Sequence, residues 1–219
     1  MNFLKDEGHR RNFIIFSPVL LIVIGRLIAQ LAGPILDVWV WVPLVITFWV
    51  LFFAFVVLGD GWQSLKRWVS GSRQGWGWSL LAVAIGLVPL QLMISNFNLF
   101  ESAWLIIAWI VFAVVNAPLE EFYWRGLLLD AISNWPGWLG VLYTSFLFAI
   151  NHTLTLGVYS IANRHPATLV STFVMGVIWA LAYKKTGSLR WAIVGHFLVD
   201  IFNLSVLAFL NLYIPPPLP

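Results

Sequence analysis

Apolar residues in this chain run in unbroken stretches of about 20, the length of a helix that crosses a bilayer. They do not alternate with polar residues, as the strands of an outer-membrane barrel would. The pattern predicts spans at 13–32, 38–58, 76–95, 102–129, 138–157, 167–183 and 190–213. The expected fold class is therefore all-α, a polytopic transmembrane helix bundle of about seven spans, with an eighth left open. It is expected to form one membrane-embedded domain over residues 1–219, and no internal repeat is visible.

Composition agrees with the pattern. The 219 residues are 61% hydrophobic with a mean hydropathy of +0.89. Only 10% are charged, against roughly 25% in ordinary soluble domains. The length leaves no room for a separate soluble domain. The first apolar run begins at Phe13 and is long enough to span, so no cleavable signal peptide is expected. Cysteine is absent, which excludes disulfides, thiol nucleophiles and thiolate metal sites.

Charge sorts the linkers. Lys5, Arg10 and Arg11 precede the first span; Lys66, Arg67 and Arg73 follow the second; Lys184, Lys185 and Arg190 follow the sixth. Asp37 and Glu101 mark the intervening side. Basic clusters at every second linker predict a cytoplasmic N-terminus and a C-terminus on the opposite side. Arg164 breaks the rule, and the linker 130–137 has no basic residue of its own, a role Arg125 partly fills. The net charge of +3 thus reads as topology rather than nucleic-acid binding. Of the 14 tryptophans, Trp39, Trp41, Trp62, Trp76, Trp78, Trp135 and Trp138 fall near span ends, as interfacial belts do. The Ser-Gly-Ser-Arg-Gln-Gly stretch after Val69 reads as a flexible loop, and the proline-rich tail ends the last span.

Ionisable side chains inside spans are costly and mark bundle interiors or water-filled cavities. Arg26 has no partner in its own span and is expected to be structural, paired across helices or snorkelling. The other six form three patterns. In Glu120-Glu121-x-x-x-Arg125, Glu121 and Arg125 share a helix face and can pair. Glu120 points about 100° away, toward Asn116 and Trp124. One carboxylate is neutralised and the other is not, which suits the second to act as a general base. Pro118 can kink this helix and free a carbonyl. In Phe148-x-x-x-His152, phenylalanine and histidine share a face. In His196-x-x-x-Asp200, followed by Asn203, three polar groups line one stripe, and the aspartate can hold the imidazole tautomer. Each pattern alone also fits a structural reading: an ion-pair cluster at a helix end, a satisfied core histidine, or an intrahelical hydrogen bond.

Three polar patches on three apolar helices are best hidden by facing one another. Joined, Glu120, His152, His196 and Asp200 form a hydrolytic set that can activate water and stabilise an oxyanion. Glu120, His152 and His196 also form a set that can hold zinc.

These residues resemble the CPBP intramembrane proteases, the CAAX-processing type II family with its bacteriocin-processing and self-immunity relatives. That family carries Glu-Glu-x-x-x-Arg, Phe-x-x-x-His and His-x-x-x-Asn or Asp in this order. Here the matches are Glu120, Glu121 and Arg125; Phe148 and His152; His196 and Asp200. The surrounding EEFYWRGLL and KKTGSLRWAIVGH are also similar. The resemblance covers about residues 100–205, and the first 100 match only as generic spans. It implies a glutamate-dependent intramembrane endopeptidase. Glu120 would be the base for a water, His152 would help hold that water, and His196 with position 200 would form the oxyanion site. Glu121, Arg125, Phe148 and Asn203 would be structural or orienting. Position 200 is Asp where the best-studied branch has Asn, which leaves its oxyanion role open: Asp200 could be protonated, could orient His196 or could stand behind a metal ligand, and Asn203 on the same stripe could supply the missing donor.

The reading that follows is a membrane peptidase whose cavity opens toward the cytoplasm, where Arg125 and the 130–137 linker lie. No cofactor is expected. Zinc on Glu120, His152 and His196 stays open, although no HExxH is present. The other readings are a non-catalytic immunity or sensor protein and a small transporter. The expected partners are a peptide or protein substrate and the lipid bilayer, with no nucleic acid; the sequence does not set an oligomeric state. Short loops suggest a bacterial inner membrane, where peptide precursors are better substrates than prenylated proteins.

Overall fold

A computed structural model describes residues 7–59, 62–71 and 75–217. Lys5, Arg73 and the side chain of Trp62, all named above, lie outside the described residues. Among those residues there is no strand, and the elements run α1 (Glu7–Leu36), α2 (Trp41–Gly59), α3 (Trp62–Trp68), α4 (Trp76–Ala84), α5 (Leu90–Asn96) and α6 (Ala103–Glu121). A π-helical segment, Phe122–Leu128, continues α6 into α7 (Leu129–Ala131). Then follow α8 (Gly137–Leu154), α9 (Ile161–Arg164), α10 (Pro166–Thr186), α11 (Arg190–Phe202) and α12 (Ser205–Phe209).

Glu7–Gly59, Trp76–Leu99, Ala103–Ala131, Gly137–Val158 and Pro166–Thr186 are each long and apolar enough to cross a membrane by length and composition. The first contains both α1 and α2. The protein is an all-α, polytopic, integral membrane protein. Its helices follow ordinary local rules. In α10, for example, Pro166 occupies the first turn, where its missing N–H costs nothing, and His165 Nδ1 caps the Ala167 N–H at 3.2 Å. The helix ends at Gly187, whose φ of +70° is the left-handed conformation that favours glycine.

Two expected spans are interrupted. The stretch 76–95 yields after Ala84, passes through a tight turn at Ile85–Leu87 and resumes at Leu90. Pro89 has no N–H to continue a helix, and Gly86 sits against Gly195 of α11, where a Cβ would collide with the Gly195 backbone. The stretch 190–213 stops at Phe202. Leu204 adopts φ +61°, and Ser205 Oγ comes within 3.2 Å of the Asp200 carbonyl at an end that the helix leaves open.

The bundle has two distinct ends. At one, Arg67 and Tyr183 both bond Asp130, at 3.0 and 2.9 Å. Ser188 and Leu189 reach the Trp68 carbonyl, and Arg11 bonds Asn134 at 2.6 Å. The basic linkers gather here. At the other end, Asn211 ties Tyr159 and Ile161, and Ser160 bonds the Ala208 carbonyl. Trp39, Trp76 and Trp138 are exposed, as belt residues are, but Trp41 is buried with its ring 5.9 Å from Phe209. Arg26 is exposed on the outer face of α1.

Candidate active site

Glu120 and Glu121 are the last residues of α6, just before the π-helical segment. Such segments widen the helix locally and concentrate at functional sites. Both side chains are buried. Arg125, fully buried, donates from Nη1 to Glu121 Oε1 at 2.8 Å, the expected i,i+4 pair. Its guanidinium lies 4.2 Å from the Phe148 ring centroid and 5.4 Å from that of Trp179. Two aromatic faces therefore stabilise a cation that has left water.

Phe148 joins several of these groups. Besides carrying Arg125, its carbonyl meets His152 Nδ1 at 2.8 Å, and its ring packs edge-on against both His152 and His196. The Phe-x-x-x-His spacing thus fixes the histidine through backbone and ring together.

His196 is buried between the carboxylates. Its Nδ1 lies 2.8 Å from Glu121 Oε1, and its Nε2 lies 3.5 Å from Glu120 Oε2 and 3.8 Å from Asp200 Oδ2. Trp179 stacks on the imidazole at 4.7 Å and 17°. An ionised carboxylate only accepts hydrogen bonds, so Glu121, already paired with Arg125, holds the proton on Nδ1. The sequence pointed to Asp200 for that role. The structure gives it to Glu121, because α11 crosses α6 with His196 directly beside it.

On its other side α11 packs tightly against the interrupted 76–99 stretch, where Gly86 and Gly195 allow a close approach. A Cβ on Gly195 would collide with the Ala82 carbonyl and lie 2.9 Å from the Trp179 indole nitrogen. Trp179 Nε1 itself donates to that same carbonyl at 3.1 Å.

Asp200 instead faces Asn116, whose Nδ2 donates to Oδ2 at 3.1 Å. Asn203 caps α11 and accepts from Ser205 Oγ at 2.6 Å. Asn116, Trp179 and Ser205 were not among the candidates. Asn116 carried a signal, as a buried amide one turn before Glu120; Trp179 and Ser205 carried none, since their partners lie far along the chain or past a helix end.

A cavity of about 790 Å³ reaches this cluster. Glu120, His152, Asp200, Asn116 and Asn203 line it, and His196 stands behind them. Its remaining wall is mostly apolar, and among the described residues lining it there is no lysine or arginine. It runs toward residues 162–168 and the tail at 213–217, with a side between Val88–Leu92 and Ala167–Val174. The cavity therefore opens at the end opposite the basic linkers. This reverses the expected direction. Arg125, under the rings of Phe148 and Trp179, and the 130–137 linker are not part of its wall.

Among the described residues, no three of histidine, aspartate and glutamate stand where they could hold a metal ion. His152 is turned to its own helix through Nδ1, and both His196 nitrogens face carboxylates.

Residues 102–202, which carry all of these groups except Asn203 and Ser205, match the family described as type II CAAX prenyl endopeptidase, Rce1-like. This segment is similar to that Rce1-like family. A protein of Escherichia coli described as an uncharacterized 24.3 kDa protein is 31% identical over 86 residues, covering 37% of this chain and 36% of that protein. The chain thus spans about a third of the length of that curated relative. No solved structure matches the chain at a significant level.

Proposed function

We propose that this protein is an intramembrane endopeptidase that hydrolyses a peptide bond with a Glu120-activated water. The observation that carries the reading is the split between the two carboxylates. Glu121 Oε1 takes Arg125 and His196 at 2.8 Å, whereas Glu120 has no arginine or lysine partner among the described residues: its nearest basic group is His196 Nε2, 3.5 Å from an Oε2 that makes no hydrogen bond. A carboxylate on a cavity wall without an arginine or lysine partner suits proton abstraction, and the Rce1-like match supports peptidase chemistry.

In this mechanism a water sits between Glu120 and His152. Glu120 takes its proton as the oxygen attacks the peptide carbon, and later returns the proton to the leaving amine. Glu121 and Arg125 hold His196 in one tautomer, and Phe148 fixes His152. The arrangement of donors supports a metal-free form over one in which Glu120, His152 and His196 hold zinc. A catalytic zinc usually takes three protein ligands, and here His196 is already held by carboxylates on both sides. The wall, apolar with two carboxylates and no lysine or arginine, supports a peptide that is uncharged or cationic around the scissile bond. The N-terminus is cytoplasmic and the membrane is a bacterial inner membrane in this reading, so the cavity faces the other side.

The test compares the membrane peptidome of cells carrying the intact protein with that of cells carrying Glu120→Gln. Peptides produced only by the former support the reading. Identical peptidomes, with both proteins folded at equal levels, would leave a non-catalytic role.

A further inference from the structure

Asn116 plays no part in the mechanism above, yet it is held on both sides. Trp49 Nε1 lies 3.1 Å from Asn116 Oδ1, and Asn116 Nδ2 lies 3.1 Å from Asp200 Oδ2. An indole N–H only donates, so Trp49 decides which end of the amide is oxygen and turns the nitrogen toward Asp200. That nitrogen carries two hydrogens. Asp200 takes one, and no other described residue takes the second.

The placement matters for the proposed peptidase, on which this inference rests. Asn116 is 6% exposed, one helical turn before Glu120 and on the same face. Asn116, Glu120 and Asp200 line the same cavity. Hydrolysis is accelerated by a preorganised hydrogen-bond donor where the carbonyl oxygen becomes an oxyanion. An ionised Asp200 has no proton to give. Asn203 also lines the cavity and keeps its nitrogen free, but it lies past the end of α11, whereas Asn116 stands on Glu120's own helix face.

The geometry points to Asn116 Nδ2 as the oxyanion donor of this site, with Trp49 and Asp200 as positioning residues. In the first step the water oxygen bonds to the peptide carbon and its proton passes to Glu120. The carbonyl π pair moves to oxygen, opposite the free N–H of Asn116. On collapse the carbonyl re-forms, the C–N bond breaks, and the Glu120 proton goes to the amine. The amide lacking at position 200 is thus supplied by a different helix.

The test uses the full chain in lipid nanodiscs and quenched peptides of uncharged sequence. A peptide cleaved by the native protein and not by Glu120→Gln is chosen first. If no peptide meets that standard, the peptidase reading has failed and this inference falls with it. With such a peptide, Asn116→Ala and Asn116→Asp should lower kcat by about 10²–10³-fold, the loss typical of one oxyanion donor. KM should stay within about threefold, since the contact forms only in the transition state. Affinity for a peptide phosphinate, a tetrahedral mimic, should fall with kcat/KM, while affinity for the cleaved product stays. Trp49→Phe, which removes the indole donor, should lower kcat by about tenfold through the amide orientation. A kcat within about threefold of native for Asn116→Ala would overturn the assignment. So would an equal loss of phosphinate and product affinity, the mark of a residue that only shapes the fold.

Discussion

One oxygen of Glu121 takes two donors: Arg125 Nη1 and His196 Nδ1 both lie 2.8 Å from Oε1. The arginine and the histidine thus share one buried carboxylate oxygen, and that shared contact sets how the imidazole is turned. Glu121→Gln keeps the shape of this joint but removes its charge. It also offers an N–H to Nδ1, which favours the wrong tautomer. Peptide cleavage should fall on the order of 10²–10⁴-fold, the range seen when an orienting carboxylate is amidated. Far-ultraviolet circular dichroism should stay native. Unchanged turnover would detach His196 from the chemistry.

The same joint predicts a separation of stability from activity. Arg125→Leu leaves Glu121 buried without its cation, which costs about 3–5 kcal/mol. Replacing both, as Glu121→Leu with Arg125→Leu, removes the uncompensated charge and should recover most of that loss in thermal unfolding in detergent. Cleavage should stay absent in the double variant, because His196 has lost its orienting group. If the double variant is no more stable than Arg125→Leu, the pair is not the source of the cost.

Helical spacing made part of this site legible. Glu121 and Arg125 pair because i and i+4 share a face, and the division of labour between Glu120 and Glu121 follows from the same geometry. Phe148 and His152 are linked for that reason too. The i,i+4 rule also suggested Asp200 as the partner of His196, and there it misled. The residues stand 3.8 Å apart, but Glu121, 75 positions away in sequence, is a full ångström closer. Contacts between helices depend on crossing points. The crossing of α11 with the interrupted 76–99 stretch is set by Gly86 and Gly195, a detail invisible in apolar periodicity. The direction of the cavity was lost likewise, since rings from α8 and α10 cover Arg125.

That crossing gives a prediction of its own. Gly195→Ala places a methyl group against the Ala82 carbonyl and the Trp179 indole. The carbonyl belongs to backbone and cannot swing aside, so α11 must shift. Overpacking of this kind costs about 1–3 kcal/mol, and the shift moves His196 away from Glu121. The variant should unfold at lower temperature and lose cleavage out of proportion to its loss of folded protein. Native turnover in Gly195→Ala would show that the close crossing is not needed for His196.

Which compartment each end of the bundle faces can be measured directly, because the sequence has no cysteine. A single cysteine at Lys185 probes the basic end, and one at Thr168 probes the cavity mouth. With the N-terminus cytoplasmic, a membrane-impermeant maleimide should label Thr168→Cys in intact spheroplasts and Lys185→Cys only in inverted vesicles. The opposite pattern would turn the cavity toward the cytoplasm, and its substrates would then be cytoplasmic chains. The expected pattern assigns it peptides that have already crossed the membrane or lie in its outer leaflet. The gap between Val88–Leu92 and Ala167–Val174 is a side opening of the same cavity. Val88 and Val170 are exposed there, so an apolar peptide segment could slide in from lipid and lay its scissile bond beside Glu120.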